Sequence, residues 1–149
     1  MEQQQEGTLV EYAGFWIRLG AYIIDGVILG VINLVASFIF VAIVASAEPG
    51  DTGLLAGLTG GFTVVIFILT ILYFIGFWAW RGQTPGKMAV GVKIVNTDGS
   101  SISVGKSILR YIGYIVSGII IYIGFLMIAW DGEKQGLHDK IAGTYVVKT

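Results

Sequence analysis

The 149 residues are 55% hydrophobic and only 13% charged, with a mean hydropathy of +0.80. Soluble domains carry about a quarter charged residues, so an ordinary water-soluble fold is excluded. Nine basic against ten acidic residues (net −1) exclude a basic field for nucleic acid, and the lack of cysteine excludes disulfides and thiolate metal sites. The expected class is an all-α membrane protein of one domain, with the lipid bilayer as its first partner.

Residues 1–14 hold Glu2, Glu6 and Glu11 and no Lys or Arg, the wrong sign for a cleavable signal. They read as a cytoplasmic tail ahead of a single membrane domain at 15–149. Three apolar segments follow, at about 15–47, 54–80 and 108–130. Each reaches the roughly 20 residues that cross a hydrocarbon core. The first two read as full transmembrane helices. The third reads either as another span or as a re-entrant hairpin bending near Ser117-Gly118 or Gly124.

Glu48 and Asp51 make the first loop acidic, whereas residues 81–107 carry Arg81, Lys87, Lys93 and Lys106. The positive-inside rule then puts the longer loop and the N-terminus on the cytoplasmic side of the cell (inner or plasma) membrane. A third full span would export Lys134, Lys140 and Lys148, and a hairpin would return them. Two features favour the return. Residues 92–95 and 145–148 read as strands that could pair only on one side. The hairpin would also gather Trp16, Trp78, Trp80 and Trp130 at one interface.

Within the loop, residues 81–87 fail as a phosphate-binding pattern, because Arg81 takes the first glycine position and Met88 replaces the hydroxyl residue. A Pro85-Gly86 turn remains. Asp98-Gly99 between apolar alternations at 92–95 and 102–104 predicts a β-hairpin, with 144–147 as a third strand and the whole a small cytoplasmic β-element.

Arg18 and Asp25 are the informative charges. Seven residues apart, they share a helix face but stand about 10 Å apart along the axis. Each therefore needs a partner on another helix, another subunit or water. Arg18 could instead snorkel to the interface. Asp25 reads as half of a buried ion pair, with Arg110 or with Arg18 of a second copy, or as a carboxylate handling a proton or small cation. Tyr22, Asn33 and Ser37 extend a thin polar stripe. Gly26 with Gly30, and Gly57 with Gly61, offer helix-contact patches. His138, the single histidine, supports neither a metal site nor a catalytic triad. It reads as a capping or packing residue, with Asp139 as a candidate third member of the charge network. No cofactor, metal ligand or catalytic residue is expected.

The run Ala13-Gly14-Phe15-Trp16-Ile17-Arg18-Leu19-Gly20-Ala21-Tyr22-Ile23-Ile24-Asp25 closely resembles the opening of the RDD family of membrane proteins. Gly82-Gln83-Thr84-Pro85-Gly86-Lys87, Leu109-Arg110-Tyr111 and the stretch from Gly136 to Thr144 resemble its later blocks. The resemblance covers residues 13–147 in order. By motif position, the Arg and two Asp of the family name fall on Arg18, Asp25 and Asp139. The resemblance implies a multi-pass, mostly bacterial membrane protein with transport as its expected role, sodium/proton antiport having been suggested for some members. Two or three spans enclose no pathway, so transport of a small cation or proton would require a homo-oligomer. The alternative is a membrane scaffold or accessory subunit. An enzyme using His138 and Asp139 would lack a nucleophile.

Overall fold

A computed structural model describes residues 11–119 and 123–149. Two long helices dominate: α1 (Phe15–Ala45) and α2 (Thr52–Arg81), both long and apolar enough to cross a membrane. At 1.5 Å per residue each is about 45 Å long. Asp51 caps α2 by accepting from the Leu54 amide at 2.9 Å, and Gly82 ends it in the left-handed conformation. Near the connecting loop, Phe40 and Phe62 stack at 4.4 Å.

Full burial is confined to the other end. In α1 the buried residues are Arg18, Ala21 and Asp25, one face of the first three turns, and in α2 they are Phe74 and Trp78, in the last three. Around these ends sit α3 (Pro85–Val90), β1 (Val92–Asn96), α4 (Val104–Ile119), α5 (Ile123–Leu126), a single 3₁₀ turn (Met127–Ala129), α6 (Leu137–Ala142) and β2 (Thr144–Lys148). The core joins Phe74 and Trp78 to Val92, Ile94, Ile102 and Val146.

The strands β1 and β2 pair antiparallel, Val92 opposite Lys148 and Asn96 opposite Thr144. Tyr12 extends the sheet by a bridge to Val147, with the Ala13 amide donating to the Val146 carbonyl at 2.8 Å. The expected pairing of 92–95 with 145–148 therefore forms, but the expected hairpin with residues 102–104 does not. Ser103 starts a helix instead: its hydroxyl accepts from the Lys106 amide and its carbonyl from the Ser107 amide. A serine cap outcompetes strand alternation only three residues long.

The third apolar segment is not one rod. α4 stops at Ile119, and by Gly124 the chain has turned back, so that a Cβ on Gly124 would lie 2.4 Å from the Ser117 hydroxyl. In a continuous helix those residues would stand about 10 Å apart. Residues 120–122, between α4 and Ile123, lie outside the described residues. α4 is also inverted: Ser107, Arg110, Gly113 and Ser117 are buried, whereas Ile108, Leu109, Ile112 and Ile115 are exposed.

Trp16, Trp80 and Trp130 are each more than two-thirds exposed. Trp16 begins α1 and Trp80 ends α2, while Trp130 follows Ala129, which lines the same groove as Trp16. Trp78 departs from the expected interfacial set. It points inward, fully buried, with the Arg110 guanidinium 5.2 Å from its ring.

Candidate functional site

Among the described residues, five formally charged ones are buried together at the packed end: Arg18, Asp25, Lys87, Arg110 and Asp139. They divide into two centres with different chemistry.

The first centre is Asp139, on α6. Its Oδ2 accepts from Arg18 Nη1 at 2.5 Å and from the Gly136 amide at 3.0 Å, and its Oδ1 accepts from Arg110 Nη1. Arg110 Nη1 also donates to the Thr144 hydroxyl at 2.7 Å. Arg18 spends its remaining donors on backbone, with Nε to the Ala13 carbonyl at 2.9 Å and Nη2 to the Lys134 carbonyl at 2.5 Å. One carboxylate thus ties the N-terminal segment, α1, α4, α6 and the 131–136 loop together. Burial alone would raise the Asp139 carboxyl. The Arg110 and Arg18 guanidiniums outweigh it and hold the group well below the usual carboxylate range.

His138 packs its ring against Tyr114 at 4.5 Å and Phe125 at 5.1 Å. Its Nε2 lies 3.5 Å from Asp139 Oδ2, and Nδ1 has no hydrogen-bond partner among the described residues. Burial pushes the imidazole down to about 3, so it is neutral at pH 7. This close seat requires Gly113, where a Cβ would come within 2.6 Å of His138 Cα.

The second centre is Asp25. Its Oδ1 accepts from the Tyr73 hydroxyl at 2.7 Å and the Gly86 amide at 2.8 Å, and its Oδ2 from the Thr84 hydroxyl at 2.5 Å. Thr84 is also the N-cap of α3, with Pro85 at the first helical position. Asp25 therefore joins α1 to α2 and α3. Gly86 must approach so closely that an added Cβ would meet the Ala21 carbonyl at 2.1 Å.

The proposed network is thus seen in two parts: Arg18 and Asp139 are paired, and Asp25 stands apart from both. Arg110 serves Asp139 rather than Asp25, correcting one of the ion pairs expected for Asp25. Asn33 donates at 3.3 Å to the Leu29 carbonyl of its own helix. Tyr22 lines a cavity together with Arg18, Lys87 and Arg110. Gly26, Gly30, Gly57 and Gly61 are exposed, and a Cβ on any of them would meet nothing within 4 Å, so none forms a contact between helices of this chain. Tyr73, Thr84 and Lys87 were missed as site residues, although Thr84-Pro85 is a helix-start signal. Lys87 forms no ion pair among the described residues, and burial lowers its ammonium to about 8. No group of three or more His, Cys, Asp or Glu that could hold a metal occurs among the described residues.

Comparison with known proteins places these residues in context. The model of the RDD family matches residues 12–143. The uncharacterized protein YxaI of Bacillus subtilis is 44% identical over 146 residues, covering 91% of this chain and 96% of that protein. YckC of the same organism is 34% identical, covering 90% and 83%. A third relative there, the uncharacterized membrane protein YteJ, is 29% identical, covering 97% and 86%. No solved structure matches.

Proposed function

We propose, from the premise that the chain belongs to the RDD family, that it is a multi-pass membrane protein working as an anchored platform. Two spans, α1 and α2, hold a polar, membrane-embedded base. The N-terminus, sheet and C-terminus lie on the cytoplasmic side, and the third apolar segment re-enters. The inverted face of α4 carries this reading. A helix that buries Ser107, Arg110 and Ser117 and exposes Ile108, Ile112 and Ile115 turns its apolar face outward, the arrangement that surrounding hydrocarbon favours.

In this reading the Arg and two Asp of the motif are joints. Each carboxylate clamps segments distant in sequence, and the ensemble presents a defined cytoplasmic surface to a partner subunit. The bare glycine faces of α1 and α2 suit a partner helix or a second copy. No catalytic work is assigned to His138 or Asp139. Cation/proton exchange through Asp25 has less support, because a cation would have to displace the donors from Tyr73, Thr84 and Gly86 together.

Reconstitution in proteoliposomes tests the choice. Vesicles holding the protein under an imposed pH gradient are expected to show no cation flux above protein-free vesicles. Asp25→Asn is expected to lower the melting temperature and yield. Flux that disappears in Asp25→Asn overturns the platform reading.

A further inference from the structure

At the packed end lies a cavity of about 350 Å³ whose charged lining is entirely cationic: Arg18, Lys87 and Arg110. The buried charges around it do not cancel. Three cations face two carboxylates, and Asp139 is taken up by both arginines while Asp25 is taken up by two hydroxyls and an amide. Lys87, 4% exposed, has no ion pair among the described residues. Arg110, fully buried, spends Nη1 on Asp139 and Thr144 and stands over the Trp78 ring, so it adds charge to the site but no accessible donor. A buried charge without a counter-charge is costly, so Lys87 calls for an anionic partner in the cavity it lines.

The remaining wall is mostly apolar, with Leu19, Phe125 and Ile128 beside the Tyr114 and His138 rings, and Tyr22 and Leu126 are 50% and 43% exposed. A cationic floor beneath an apolar wall matches a molecule with an anionic head and a hydrocarbon body. We infer that this cavity is a binding site for an anionic amphiphile, its phosphate-type head paired with Lys87 in the field of Arg18 and Arg110 and its acyl part leaving past Leu126. The inference rests on the membrane-embedded part of the proposed function, not on whether the platform serves a partner.

The test uses the full chain purified in a neutral detergent, so that its outcome is independent of topology in cells. Thermal unfolding is followed while short-chain phosphatidylglycerol, short-chain phosphatidylcholine or inorganic phosphate is added. Phosphatidylglycerol is expected to raise the midpoint and phosphatidylcholine to leave it unchanged. Lys87→Met, which breaks no ion pair, is expected to fold and to weaken phosphatidylglycerol binding at least tenfold. Leu126→Trp keeps the cations and fills the apolar side, and is expected to weaken binding similarly. Equal stabilisation of wild type and Lys87→Met, or by the zwitterionic lipid, overturns the site. An equal response to inorganic phosphate, unaffected by Leu126→Trp, assigns the cations to a free anion and overturns the amphiphile.

Discussion

Asp25 and Asp139 solve the same problem, a carboxylate removed from water, by different means. Asp139 is matched by two guanidiniums. Asp139→Asn would leave both buried without a counter-charge, and breaking such a pair costs about 3–5 kcal/mol. A large loss of thermal stability and of protein level is expected. Asp25 is matched by neutral donors, so Asp25→Asn turns an amide donor toward hydroxyl and backbone donors, a cost of about 1–3 kcal/mol. Tyr73→Phe removes one of three donors and is expected to cost about 1 kcal/mol, read as a smaller fall in melting temperature.

The neighbouring His138 sets the pH response. Its folded value near 3 lies below the unfolded 6.5, so the unfolded chain binds a proton that the folded chain does not. Stability conferred by the neutral ring is complete above about pH 6.5. It falls at up to about 1.4 kcal/mol per pH unit as pH drops toward 3. Asp139, also lowered, adds to the loss below the ordinary carboxylate range. The groups facing His138 include Arg110, Arg18, Lys87 and Asp139, and the cations oppose its protonation. Melting temperature in detergent is expected to fall between pH 6.5 and 5 in wild type and to vary less in His138→Gln.

At the scale of elements, glycines decide which segments touch. Gly113→Ala places a methyl against the α6 backbone, and Gly86→Ala places one against the α1 backbone. Both are expected to unseat their helices and sharply reduce folded protein. Gly76→Ala, with nothing within 4 Å, is expected to be neutral, and comparison of the three by size-exclusion profile checks this. The two long helices were legible because uniform apolar runs need no tertiary context, and their bounds moved by only a few residues. The pairing of 92–95 with 145–148 was legible from β-branched alternation. The Tyr12 bridge was not, because a single extended residue carries no periodic signal. Nor was the Arg110–Asp139 pair, which depends on α4 and α6 crossing at a glycine. Asp25 was legible as an intramembrane charge but not as the cap-side anchor of α3, since its donors come from two places far from it in the chain, Tyr73 and the 84–86 turn.

At the scale of the molecule, polar chemistry gathers at one end and apolar surface covers the rest. Val27, Leu34, Phe38 and Val41 on α1 and Val64, Phe67 and Leu72 on α2 are all exposed, far more apolar surface than a water-soluble monomer carries. The inverted α4 and the reversal before Gly124 extend that apolar belt around the polar base. Charge accounting gives the same division: the acidic 48–51 loop lies at the far end from the Lys- and Arg-bearing sheet and loop.

Thiol accessibility in intact cells tests the re-entrant, one-sided arrangement most directly, since the chain has no native cysteine. With a membrane-impermeant maleimide, Glu48→Cys is expected to label in intact cells and Thr149→Cys only after the cells are opened. Labelling of Thr149→Cys in intact cells, at the rate seen for Glu48→Cys, would contradict it.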